Sequence, residues 1–256
     1  AGARVHYIGK VGRDDFGMFA RRHLESAGFD AVTLFSTSEC PTGNALIYVA
    51  GAEAENMIAV DPGANLTVTD EEVEQCRPAV AAADILLTQL ENNLPAIEKL
   101  IAIAKDNGTY IILNPAPYQP VSDRLLKQVD LLTPNATECT LLSGIEVHDI
   151  PSAQRAAHVL HAKGIQALII TLGTRGSLLS VKGETQLIAA CPAAPVDTTG
   201  AGDAFNGALA SQLAAGLTLS EAAQFASAYA SICVERAGAA ASMPNYEEAK
   251  ERMGRR

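Results

Sequence analysis

The chain has 256 residues, a formal net charge of -10 and five cysteines. That length fits one large α/β domain and can bury a sizeable core, while the acidic balance, with no run of Lys and Arg outside the ERMGRR tail, argues against a nucleic-acid surface. Cys40, Cys76, Cys139, Cys191 and Cys233 form no CxxC pair, so the expectation is buried thiols rather than a zinc site or a disulfide framework.

The opening ARVHYIGKVGRDDFGMFARRHLESAGFD enters at once on a strand followed by a helical pattern. No apolar run of membrane-spanning length occurs and the first residues lack a leader-like apolar core, so the chain reads as cytoplasmic, without a membrane partner. Between Thr33 and Val60, VTLFS, NALIYVA and ENMIAV are strand-like and close together with no helix between them. They predict a small antiparallel sheet standing off the main one.

From about Ala82 the pattern changes. ADILLTQL, TYIILNPAP, VDLLTPN and ALIITLG read as buried strands and alternate with the amphipathic runs LPAIEKLIAIAKDNG, SAQRAAHVLHAKG and LSEAAQFASAYASICVERAG. That alternation predicts a parallel sheet covered by helices on both faces. QLEN, Gln89 to Asn92, and NPAP, Asn114 to Pro117, fall at strand ends on the carboxyl edge, where open α/β sheets bind ligands. Glu91 there suits a hydroxylated ligand, or is an ordinary loop acid.

TPNATE, Thr133 to Glu138, ends a strand and opens a helix. Asn135 and Glu138 lie one turn apart, an arrangement that serves a phosphate and a water-held Mg²⁺ or simply caps the helix. TLGTRG, Thr171 to Gly176, suits a tight turn near a nucleotide, and a plain hairpin accounts for it equally. His158 and His161 read as surface residues, and Phe225 to Val234 as core packing.

VDTTGAGDAFNGALA, Val196 to Ala210, carries the sharpest signal. A glycine-rich turn entering a helix exposes unpaired N–H groups and the positive end of the helix dipole, so an anion belongs at Gly200 to Gly202. Asp203, just inside the helix, would face whatever accepts a phosphate there and could take its proton. The competing reading is an acid that merely complements the helix start. The glycine spacing does not match a dinucleotide fingerprint, and there is no P-loop.

Together VDTTGAGDAFNGAL, PNATE, TLGTRG, LNPAP, QLE, PTG and the GAAASMP tail resemble the ribokinase-like (PfkB) carbohydrate kinases, in order along essentially the whole chain. The resemblance implies a single domain over residues 1–256, a three-layer α/β/α sandwich with a mostly parallel central sheet and a small β-sheet lid within about 33–60. It implies transfer of the γ-phosphate of ATP to the 5-hydroxyl of D-ribose, with Mg²⁺ required and K⁺ activating. Asp203 would be the base and the backbone of Gly200, Ala201, Gly202 and Asp203 the anion hole. Asn135, Thr171, Gly173, Thr174, Arg175, Gly176 and Ser227 would contact the nucleotide, and Glu91 the sugar. Glu138 would organise Mg²⁺ through water, and Asp197, Thr199, Cys233, Arg236, Gly238 and Ser242 would form the K⁺ loop, largely through carbonyls. A homodimer through the lid strands is expected. The family also carries roughly 50 residues ahead of this point, a loss that a domain of ordinary length hardly registers. They hold a first central strand and a GGKGAN motif for the sugar, so the sheet is expected to show an unpaired edge or gap.

Overall fold

A computed structural model of the chain describes residues 1–50 and 55–254. The elements run β1 (His6–Gly12), α1 (Asp15–Ser26), β2 (Ala31–Thr37), β3 (Asn44–Ala50), β4 (Glu55–Asp61), α2 (Asp70–Ala81), β5 (Ile85–Thr88), α3 (Leu94–Asn107), β6 (Tyr110–Leu113) and α4 (Asp123–Leu126). They continue with β7 (Leu131–Leu132), α5 (Ala136–Ser143), α6 (Ile150–Ala162), β8 (Ala167–Thr171), β9 (Ser177–Val181), β10 (Glu184–Ile188), α7 (Ala201–Ala214), α8 (Leu219–Cys233) and α9 (Tyr246–Gly254).

Six strands form the main sheet in the order β10-β9-β8-β7-β6-β5. β5 to β8 are parallel, and β9 and β10 close one border antiparallel. Because side chains alternate across a strand, Ile111, Leu113, Leu132, Leu168 and Ile170 join one core with α3 and α6, through Ile97, Ile101, Ala153 and Leu160. Ile112, Leu131 and Ile169 point the other way, onto Ala204, Ala208, Ala222, Phe225 and Ala226 of α7 and α8. Each of these two sheet faces is thus sealed by helices, the three-layer α/β/α architecture with a mostly parallel sheet.

The portion from β1 to β4 differs from the expectation in one respect. VTLFS lies in β2, which pairs in parallel with β1, from His6 opposite Ala31 to Gly12 opposite Thr37. It is therefore the second strand of a β1-α1-β2 unit, and the antiparallel lid consists of β3 and β4 alone. The residues following VTLFS contain no helix, which made the three runs look like one sheet; the true partner lies across α1. Among the described residues β1 pairs only with β2, and β5 only with β6, so the two-stranded and six-stranded sheets share no strand pair and each of those strands has one edge without a strand partner.

His161 also departs from expectation. It is half-buried, with Nδ1 2.7 Å from the Ile165 carbonyl and Nε2 2.8 Å from the Ser180 hydroxyl. Four of the thiols are buried, and Cys40 is partly exposed. Among the described residues no helix is long and apolar enough to cross a membrane.

Candidate active site

The entry into α7 is the centre of the site. Gly200 adopts φ 77° and ψ 2°, a left-handed geometry open to glycine at little steric cost, and no side chain caps the helix. The Ala201 N–H turns back to the Thr198 carbonyl (3.2 Å). Those of Gly202 and Asp203 belong to the first turn, where no intrahelical carbonyl lies ahead of them. A Cβ built on Gly202 would meet nothing within 4 Å. The turn thus offers donors and partial positive charge to open space.

Asp203 stands at this turn. Its side chain reaches solvent, yet the flanking protein strips enough water from it to push its carboxyl above the usual range. Glu91, beyond β5, is pushed up by burial first and then by the negative charge of Asp203. The two carboxylates therefore lie near enough for their charges to interact, although 112 positions separate them in the sequence numbering. Tyr7 of β1 joins them, its phenol raised by burial and then by Glu91. Sequence reasoning missed Tyr7, since an aromatic residue in a strand carries no signal of its own. It also missed Asn206, whose Nδ2 donates to the Gly202 carbonyl (2.9 Å) and braces the first turn of α7. Beside Asp203 a cavity of about 180 Å³ runs along α7, bordered by Ala204, Gly207, Val5 and Met243.

Behind the turn two loops are locked together. The N–H groups of Val196 and Asp197 donate to the Val234 carbonyl (2.7 and 3.2 Å). The Asp197 carboxylate, 8% exposed, accepts from Thr199 N–H and Gly238 N–H, each at 2.9 Å. The Thr199 hydroxyl is close enough to lower the Asp197 pKa, but it is not aligned for a hydrogen bond and stays unpartnered. Ser242 is fully buried, donating to the Ala239 carbonyl (2.6 Å) and touching Cys233 Sγ (2.9 Å). The Arg236 guanidinium turns away from these groups to pair with Glu248.

A third group lies at the ends of β7 and β8. Asn135 bridges to Thr171, and Thr171 N–H donates to the Pro134 carbonyl (2.9 Å). Asn135 and Glu138 form a complete capping box for α5: Asn135 Oδ1 accepts from Glu138 N–H (2.8 Å), while the Glu138 carboxylate accepts from Asn135 N–H and Nδ2. Glu138 is 7% exposed and its carboxyl is raised by that burial. Gly173, Thr174 and Arg175 form an exposed 3₁₀ turn between β8 and β9, so TLGTRG is a hairpin whose tip is open to a ligand. Gly176, at φ 89°, passes so close to the Ile188 carbonyl that a Cβ would lie 2.1 Å from it. Ser227 of α8 faces the loop after β10, where its hydroxyl accepts from Cys191 N–H (3.3 Å).

An uncapped donor turn with two carboxylates near it could receive an anion and accept a hydroxyl proton. Residues 1–246 match the pfkB family carbohydrate kinase description, and the chain belongs to that family. Within it, the ribokinase of Haemophilus influenzae is 40% identical over 250 residues, which span 98% of this chain and 81% of that relative. The structure of ribokinase from Giardia lamblia matches with a TM-score of 0.88 at 29% identity, over 97% of this chain and 83% of that one. That of Arabidopsis thaliana ribokinase complexed with ribose and ATP matches with a TM-score of 0.84 at 30% identity, over 97% and 81% of the two chains.

Proposed function

We propose that this chain phosphorylates D-ribose with ATP, moving the γ-phosphate to the 5-hydroxyl, with Asp203 as general base. The observation that carries the reading is Asp203 itself: a carboxylate in the first turn of an uncapped helix that opens onto free space, near enough to Glu91 for the two charges to interact. Asp203 takes the proton of the hydroxyl as its oxygen attacks the γ-phosphorus, and ADP leaves with the bonding pair of the broken P–O bond. A base of this kind contributes about 10² to 10⁴ in rate, and its raised pKa brings it nearer the working pH. The N–H groups of Gly202 and Asp203, with the turn of Gly200 and Ala201, hold the charge of the phosphoryl group in transit. Glu91 accepts from sugar hydroxyls. Asn135, Thr171, Gly173, Thr174, Arg175 and Gly176 border the nucleotide, and Ser227 its base.

The chain's residues fit both cations. Among the described residues no cluster of three His, Cys, Asp or Glu side chains could hold a metal, so a cation here relies on carbonyls, hydroxyls and single carboxylates. The buried Asp197 carboxylate and the unpartnered Thr199 hydroxyl, with the carbonyls of Cys233, Arg236 and Gly238 and the Ser242 hydroxyl, suit K⁺, a hard cation that prefers oxygen. Glu138 suits Mg²⁺ through water, because both carboxylate oxygens already accept from Asn135. When bound, Mg²⁺ supplies positive charge that offsets the charge on the transferring group.

The lid supports a homodimer. Leu46, Tyr48 and Met57 lie on one face of the β3–β4 hairpin and are each more than 60% exposed, an apolar surface of the kind that marks an interface. Light scattering at micromolar concentration should return the mass of two chains, and a single-chain mass would remove the dimer. We place the protein in the cytoplasm. For the reaction, ADP release should depend on D-ribose in the presence of ATP, Mg²⁺ and K⁺ and should collapse in Asp203→Asn. ADP release that ignores the sugar would sink the reading.

A further inference from the structure

PTG, Pro41 to Gly43, has no part in the phosphate chemistry, yet Thr42 is 8% exposed and has a partner for its hydroxyl and its N–H. Its N–H donates to Asp14 Oδ2 (2.7 Å) and its hydroxyl to Asp14 Oδ1 (2.6 Å), while Gly12 N–H donates to that same hydroxyl (2.9 Å). Asp14 is also the N-cap of α1, accepting from Gly17 N–H (2.8 Å). One buried threonine therefore pins the start of the lid to the turn between β1 and α1.

The lid's exit and return meet at this knot. Ala64 N–H donates to the Pro41 carbonyl (2.8 Å). A Cβ on Gly43 would lie 2.6 Å from the Pro62 carbonyl oxygen, and one on Gly63 2.4 Å from that of Pro41, so only glycine allows the two roots so close. The returning segment is then held from two sides. Lys10 Nζ donates to the Thr67 carbonyl (2.5 Å). Asn92 Nδ2 and Asn93 Nδ2 donate to the carbonyls of Asn65 and Val68 (3.1 and 3.0 Å). Asn92 follows Glu91 directly. An isolated two-stranded hairpin is marginal in water, and β3 and β4 are largely exposed, so the orientation of the lid must be set at its root.

We infer that Thr42, held by Asp14, is a positioning residue that sets the stance of the lid relative to Glu91, and thereby the affinity for the sugar without touching the phosphate chemistry. The kinetic part rests on the ribose reading; the structural part does not. Thr42→Val keeps the shape and removes the hydroxyl, and Thr42→Ser keeps the hydroxyl. Amide hydrogen exchange should rise about five- to tenfold in Thr42→Val over residues 44–50, 55–61 and 89–93, the size expected for losing one or two buried hydrogen bonds, and return to normal in Thr42→Ser. KM for ribose should rise about tenfold while kcat and KM for ATP stay within about twofold. Faster exchange confined to residues 41–43, or an equal change in all three kinetic constants, overturns the inference. A parent chain without ribose-dependent turnover defeats the ribose reading alone, and the exchange pattern still decides the positioning. Should Thr42→Val fail to fold, Asp14→Asn, which still caps α1 but offers one acceptor oxygen, carries the same readouts.

Discussion

In the six-stranded part of the molecule Ile111, Ile112, Leu131 and Leu132 have no exposure at all, sealed between two helical layers. In the part from β1 to β4, Tyr7 is 40%, Leu46 63% and Met57 73% exposed, and among the described residues β1 has a strand partner on one edge alone. The Gly200 turn stands on the first part and the lid on the second. Close-packed interiors are rigid, so the free donors of the Gly200 turn are held in place by the core behind them. The lid is held by its root. One part is fixed by its interior, and the other presents an exposed surface.

The largest effect that would sharpen this contrast is on Asp203. Asp203→Asn should lower kcat by about 10² to 10⁴. Because surrounding protein raises the Asp203 pKa, the folded state favours the protonated form, and stability drops as pH rises through the unfolded and then the folded pKa. Removing the charge should therefore leave thermal stability at neutral pH equal or higher. A matching fall in Tm would mean the substitution had damaged the fold. The same shift places the acid limb of kcat above the ordinary aspartate range, with Glu91, also raised, steepening the limb of kcat/KM. A limb at the ordinary value would separate the two carboxylates.

Next comes packing. Ile112→Ala should cost about 2–5 kcal/mol in chemical denaturation, whereas Ile58→Ala on the lid, 46% exposed, should cost less than about 1 kcal/mol. Equal costs would erase the distinction between the two parts. A smaller change is expected at the lid surface, where Tyr48→Asp should shift light scattering from the mass of two chains to one while the monomer keeps its Tm. The smallest effect should come from Arg252→Ala. Arg252 pairs with Glu235 (2.6 Å) and donates to the Pro192 carbonyl (3.2 Å), tying α9 to the loop that leads into the Gly200 turn. Both partners are about a quarter exposed, so screening limits the loss to about 1 kcal/mol or a Tm drop of about 2–4 °C, reduced further by salt.

Much of the fold was legible because each buried strand after Ala82 carries its own signal, an uninterrupted apolar run between helical periods. The turn at Gly200 to Asp203 was legible for a similar reason: glycine, small residue, glycine and acid at a helix start require nothing from elsewhere. TPNATE was legible only as two alternatives, and the capping box is present while a role toward the nucleotide remains compatible with it. The partner of β2 was not legible, since parallel pairing is decided across a helix, not by neighbouring residues. Nor was the half-buried state of His161, which depends on the Ser180 hydroxyl arriving from β9.

By itself the sequence determined the layer order, the strand and helix types of the larger part and the uncapped glycine turn that opens α7, all of which follow from periodicity and short-range geometry. Only the tertiary structure decided that Tyr7, Glu91 and Asp203 come near enough for their charges to interact, and that Thr42 binds Asp14 at the root of the lid. Those are contacts between distant segments, and their existence depends on how the elements dock, a free-energy balance that no single stretch of chain contains.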